Sequence, residues 1–192
     1  MDRGDLDFVE GQINPGAIGD EIYIAFKRDI TSFPTIDDDM SEATDAEAYV
    51  NLTGNFTMAT GKKFTRVYNT QGLGSVDYED AGEEDGKLFI NKLECKYPKI
   101  NTGIRALSKY VNNSKVILVA KHAGKFYVIG NEDYGATVKT SGTSGKKADE
   151  AHGVTVTAQA FDNTPLPCYV GTLPLTDGTL NCETGVFTSS SN

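Results

Sequence analysis

The chain has 192 residues, 39% of them hydrophobic, with nine Phe, nine Tyr and no Trp; that length suits one domain that buries about 70% of the surface its unfolded form would expose. A formal net charge of -9 argues against a dedicated nucleic-acid binder, because such proteins gain affinity by replacing counterions with Lys and Arg. The charge is polarised along the chain: residues 1–50 hold 13 acids and 3 bases, residues 51–150 hold 11 acids and 15 bases, and residues 151–192 hold 3 acids and no base. Such polarity suits a repeated contact between surfaces of opposite sign.

The opening "MDRGDLDFVEGQ" is acidic and has no hydrophobic run, and no stretch reaches the roughly 20 apolar residues of a membrane span, so neither a signal peptide nor a membrane partner is expected. Arg3, Gly4 and Asp5 spell an integrin-binding triplet, but three letters recur easily by chance. The first strand is "EIYIAFK" (21–27), with Ile22, Ile24 and Phe26 facing one way and Tyr23 and Ala25 the other. Residues 29–48 are acidic and aperiodic, which predicts a long surface loop or arm. Asp37, Asp38 and Asp39 within it lack the spacing of a calcium loop, because neighbouring side chains splay apart.

Strand signals follow in "YVNLTGNFTM", "KKFTRVYNT", "GSVDYE" and "KLFINKLECKY". In the last, Phe89, Asn91, Leu93, Cys95 and Tyr97 share one face, and Pro98 then ends the ladder. A short amphipathic helix is predicted over 101–112, capped by Asn101 or Thr102, with Ile104, Leu107, Tyr110 and Val111 on its apolar stripe. "SKVILVAK" and "GKFYVIG", joined through His122 and Ala123, read as a tight hairpin whose first strand is apolar on both faces. "GATVKT" and "GVTVTAQAF" flank a polar glycine-serine loop over 139–153, "PLPCYVGTL" and "TLNCETGVF" add two further strands, and 188–192 reads as a frayed tail. The expected architecture is one mainly β domain over 1–192, a sandwich or barrel of about 8–10 strands with one flanking helix.

No chemistry is signalled clearly. Gly145 and Lys146 fit a phosphate-binding loop, but Thr140 stands where its first glycine belongs and Lys147 where its hydroxyl belongs; "TGKKF" fails likewise at Phe56 and Lys63. Asp149, Glu150, Ala151 and His152 spell a helicase box but follow that lysine directly in a polar loop, so a motor is rejected. His122 and His152 lie in predicted turns without metal or nucleophile spacing, and Cys95, Cys168 and Cys182 form no CxxC, so they read as buried thiols. Asn51, Asn55 and Asn112 open glycosylation triplets that are chance matches in the absence of a secretory signal. Glu83, Glu84 and Asp85 are solvated turn acids rather than a hydrolytic pair. No enzyme, metal or cofactor is expected.

The layout of "GKFYVIGNEDYGATVKTSGTSGKKADEAHGVTVTAQAF" resembles major tail proteins of bacteriophages, and "NPGAIGDEIYIAFKRDITSFP" is similar to the opening of structural proteins in phages and prophages of gut Bacteroidetes. Together these stretches cover about half the chain, which departs from the pattern in its acidic segment near the start. The resemblance implies a β-barrel or sandwich with one flanking helix that self-assembles into stacked, commonly hexameric rings. It further implies a virion tail tube built in the bacterial host cytoplasm, with other tail proteins as partners and DNA as passing cargo. An acidic lumen would repel phosphate over about a Debye length of 10 Å. Rings would form where open sheet edges pair between subunits. The expected inter-subunit loop holds Lys139, Ser141, Gly142, Gly145, Lys146 and Lys147, and a second, within 71–86, holds Gly72, Gly74, Glu83 and Glu84; both are expected to order on assembly. The competing classes are a connector, decoration or baseplate protein of the same body, and a glycan-binding module using Tyr68, Tyr78 and Tyr134.

Overall fold

The computed structural model describes residues 15–36, 47–147 and 152–190. The elements run β1 (Glu21–Phe26), a 3-10 turn (Lys27–Asp29), β2 (Ile30–Ser32), β3 (Asn51–Leu52), β4 (Thr57–Met58), β5 (Thr65–Tyr68), β6 (Ser75–Ala81), β7 (Leu88–Tyr97), α1 (Thr102–Val111), β8 (Lys115–His122), β9 (Lys125–Ile129), β10 (Ala136–Thr143), β11 (Gly153–Asp162), β12 (Cys168–Tyr169), β13 (Thr172–Leu175), β14 (Gly178–Asn181) and β15 (Phe187–Ser189). The fold is mainly β with one short α-helix among the described residues, as the alternation predicts. Strands exceed the expected 8–10 because β2, β3, β4, β12 and β15 have only two or three residues, too few for a period of two to show in sequence.

Ten strands form one sheet with β8 at its centre. One flank of β8 pairs with β1; the other is shared between β9 and, at Val116 and Lys115, β10. The sheet therefore forks: β9 leads to β12 and β3, β10 leads to β11, β7 and β6, and β1 leads to β5. The β10–β11–β7–β6 branch curls the sheet into a half-barrel. Its interior holds Ile22, Ile24, Leu93, Leu118 and Val156, and α1 lays Ile104, Leu107 and Val111 against them. Tyr23, Ile117 and Val119, from the opposite faces of β1 and β8, meet Phe64, Tyr169 and Leu173 in a second core. A three-stranded sheet, β13–β14–β15, and the β2–β4 pair contribute to that second layer. Burial on both faces explains why β8 reads as a continuous apolar run.

Local chemistry fixes the connections. Asn101 caps α1, its Oδ1 accepting from the Ile104 N–H at 3.0 Å. Ala123 and Gly124 take φ of 49° and 84°, the paired positive values of a type I′ hairpin turn. Asn69, fully buried, joins the ends of the half-barrel: its Nδ2 donates to the carbonyls of Gly19 (3.0 Å) and Leu73 (2.7 Å), and its Oδ1 accepts from the Lys96 N–H (2.9 Å). Asn91 does the same for the segment after β11, donating to the Thr164 carbonyl and accepting from the Leu166 N–H, both at 2.9 Å.

Three expectations are corrected. The acidic arm 29–48 is structured over its first part: Asp29 ends the 3-10 turn, Ile30–Ser32 pairs with β4, and Thr35 bridges Thr53. The cause is apolar, since Ile30 is buried and the Phe33 ring packs edge-on to Phe56 at 5.8 Å; residues 37–46, with Asp37, Asp38 and Asp39, lie outside the described residues. Thr188 and Ser189 of the expected frayed tail pair with Thr179 and Gly178 of β14, while 191 and 192 lie outside the described residues. Tyr110 leaves the helix stripe and is 63% exposed, because the core accommodates only the narrower stripe of Ile104, Leu107 and Val111.

Candidate functional site

The half-barrel's curled branch is a four-stranded antiparallel sheet in the order β6–β7–β11–β10. β6 pairs with β7 from Ser75 opposite Glu94 to Ala81 opposite Leu88, and its other flank has no strand partner among the described residues. β10 pairs with β11 along Thr137–Thr143 but with β8 only at Ala136 and Thr137. Past Thr137 its far flank is likewise without a strand partner among the described residues. The branch thus ends in two open edges, each presenting backbone donors and acceptors.

The register fixes what each face carries. Inward lie Val138, Val156, Ala158, Leu93 and Val76. Outward lie Lys139, Gln159, Lys92, Lys96, Glu94, Asp77 and Glu79, where Lys92 bridges Glu79 at 2.6 Å. Three bases and three acids balance on this face. Charge groups at the turns. The β6–β7 turn carries Glu83, Glu84 and Asp85 beside Lys87, and at the same end Glu132 and Asp133, ahead of β10, stand with Lys115 and with Lys27, whose Nζ donates to the Asp133 carbonyl at 3.4 Å. At the opposite end the β10–β11 hairpin tip carries Lys146 and Lys147.

The expected site residues are redistributed. Lys139, Ser141 and Gly142 belong to β10, opposite Thr157, Thr155 and Val154, and so pair as strand within one chain; the tip from Ser144 to Lys147, with Gly145 and Lys146, is loop, and 148–151 lie outside the described residues. The second expected loop is split by a strand: Gly72 and Gly74 precede β6, whereas Glu83 and Glu84 follow it. Gly74 has a backbone role, with φ of 88° and no room for a Cβ beside the Glu94 carbonyl. Tyr68, Tyr78 and Tyr134 are all about half exposed, but they sit on β5, β6 and the loop before β10, Tyr78 against Phe89 and Tyr134 against Phe161, and form no common platform.

The titratable groups give no gathered centre among the described residues. His122 ends β8, its Nδ1 2.7 Å from the Ala17 carbonyl, and His152 is exposed just before β11. All three thiols are buried. Burial pushes Cys95 up to about 12, with the Glu94 charge adding to it; burial, aided by Cys168, pushes Cys182 up to about 12 against the pull of Lys121. Burial likewise raises Cys168, so the thiols stay protonated at neutral pH. No group of three metal-ligating side chains occurs among the described residues.

Asn69 and the free flank of β10 escape the sequence. Asn69 reads there as one more polar residue in a strand, and the extent of β10 is masked by Ser141, Gly142 and Thr143, whose types favour loops. The only signal for Asn69 is its place directly ahead of the turn residues "TQGLG". No protein-family model, no curated protein and no solved structure matches this chain.

Proposed function

We propose that the chain is a structural subunit that assembles head to tail with copies of itself into stacked rings, as a bacteriophage tail tube through which DNA passes. One observation carries this: the β6–β7–β11–β10 branch keeps both outer edges unpaired among the described residues. With an even number of strands, β6 of one copy laid beside β10 of the next runs antiparallel to it, so the ladder continues unbroken round a ring. Lys139 of one edge then meets Asp77 and Glu79 of the other. Stacking would set the β10–β11 hairpin tip of one ring, through Lys147, against the Glu83, Glu84 and Asp85 turn of the next.

Sedimentation across protein concentration and salt, with electron microscopy of the same samples, tests the assembly. Rings or open stacks that loosen as salt screens the opposed charges are expected. A monomer under every condition overturns it, and single closed oligomers without stacks place the chain instead among connector, decoration or baseplate subunits.

A further inference from the structure

The curled branch leaves one side of its edge strand uncovered. In β6 the register sets Val76, Tyr78 and Asp80 opposite Leu93, Asn91 and Phe89, so these three point to the core side of the sheet, where Leu93 and Asn91 are buried. Yet Tyr78 is 56% exposed, held only edge-on against Phe89 at 6.1 Å, and Asp80 is exposed with no ion pair among the described residues. A second unmatched surface lies on α1. From Cys95 to Asn131 the sequence carries seven bases and no acid, whereas Ser75 to Gly86 carries six acids and no base. Arg105 and Lys109 stand one helical turn apart, both exposed and neither in an ion pair among the described residues. Gly103, Ile104 and Leu107 turn to the β5 side of the helix, and the helical repeat puts Arg105 and Lys109 on the opposite flank, towards β10. Ile100, ahead of α1, has its Cδ1 3.7 Å from where a Cβ on Gly142 would stand, and Lys115, after α1, pairs with Thr137. The helix therefore runs alongside the open part of β10, on its core side.

We propose that the Arg105 and Lys109 flank of α1 receives the core side of β6 from a second copy, Asp80 pairing with the two bases and the Tyr78 ring lying over their stems; the contact rests on the self-association proposed above. In that ladder β6 of one copy lies beside β10 of the next. Side chains alternate across a sheet, so Asp77 and Glu79 fall on the outward face with Lys139, while Tyr78 and Asp80 fall on the face that α1 flanks. A cation beside both a carboxylate and an aromatic face gains from each, and the aliphatic stems of Arg and Lys cover the ring. Within one chain the two surfaces stay apart. β6 and β10 are the outer strands of the branch, three strand spacings or about 14 Å from each other along the sheet, and Asp80 pairs with neither base. Opposite charge on opposite edges of one sheet is the arrangement of a head-to-tail contact between copies.

Sedimentation at low salt compares the wild-type chain with an Arg105→Glu, Lys109→Glu chain, with Asp80→Lys, and with a chain carrying all three changes. The sites are exposed, so urea midpoints near the wild-type value are expected to show that each chain folds. Either reversal alone should raise the dissociation constant for self-association about tenfold, and the triple change should bring it back to within about threefold of wild type. Tyr78→Ala, which leaves every charge in place, should weaken association about threefold. A triple chain as weak as the single reversals overturns the contact. So does an Arg105→Glu, Lys109→Glu chain that associates as the wild type does but loses binding to a short DNA duplex, which gives the flank to nucleic acid. The wild-type chain separates the two ideas: association that ignores both reversals sinks the α1 contact alone, whereas a monomer throughout sinks the self-association with it.

Discussion

Asn69 bears more of the fold than any neighbouring residue, because one buried amide satisfies groups from three separate parts of the chain. Asn69→Ala leaves the Gly19 and Leu73 carbonyls and the Lys96 N–H without their partner at a fully buried position, and is expected to cost about 2–4 kcal/mol, seen as a lower urea midpoint at unchanged slope. The thiols set a pH limit. Cys95 and Cys182 sit near 9.0 when unfolded and are raised to about 12 in the fold, so the stability they contribute is whole below pH 9 and is lost as pH rises towards 12, where only the unfolded chain ionises. Urea midpoints followed from pH 8 to 11 should therefore fall, and falling less in a Cys95→Ala, Cys182→Ala chain ties the effect to these thiols. Burial of the cysteines was legible from their types. The latch made by Asn69 was not, since nothing in an Asn beside a strand says which distant carbonyls it will meet.

At the scale of elements, hairpins and helix follow from local rules. The β8–β9 turn puts Ala123 at φ of 49°, a left-handed conformation that costs an ordinary L-residue about 1–2 kcal/mol. Ala123→Asn, better tolerated there, is expected to raise the melting temperature by an amount equivalent to about 0.5–1 kcal/mol; an unchanged or lower value by calorimetry contradicts this account of the turn. The Asn101 cap and the Ile104, Leu107 and Val111 stripe were readable for the same reason, as they depend on neighbours three or four residues away. Composition misled at two places. Ser141, Gly142 and Thr143 look like loop, yet pairing with Thr155, Val154 and Gly153 extends β10 through them. Ile30 to Ser32 looks like part of an acidic arm, yet β4 and the aromatic second core hold it as a strand.

For the whole molecule, the sign pattern of the curled sheet makes a prediction about assembly. Lys139→Glu places like charges across the proposed β10–β6 contact and should shift association to higher protein concentration. Asp77→Lys with Glu79→Lys in the same chain should recover it, as read by sedimentation at low salt; loss without recovery would mean that Lys139 serves only its own chain. The chain's net acidity and its division into acidic and basic segments are properties of sequence, as is the inward or outward sense of each side chain in β1, β7 and β11, because a strand's period of two is set by the backbone alone. Tertiary structure decided the remainder: that β1 and β8 lie between two cores, that the sheet forks at β8, that β6 and most of β10 each leave a flank without a strand partner among the described residues, and that the outward face of the curled branch balances three bases with three acids. Those outcomes depend on which distant strands meet, and pairing across a hundred residues is selected by the fit of whole surfaces rather than by any residue and its neighbours in the chain.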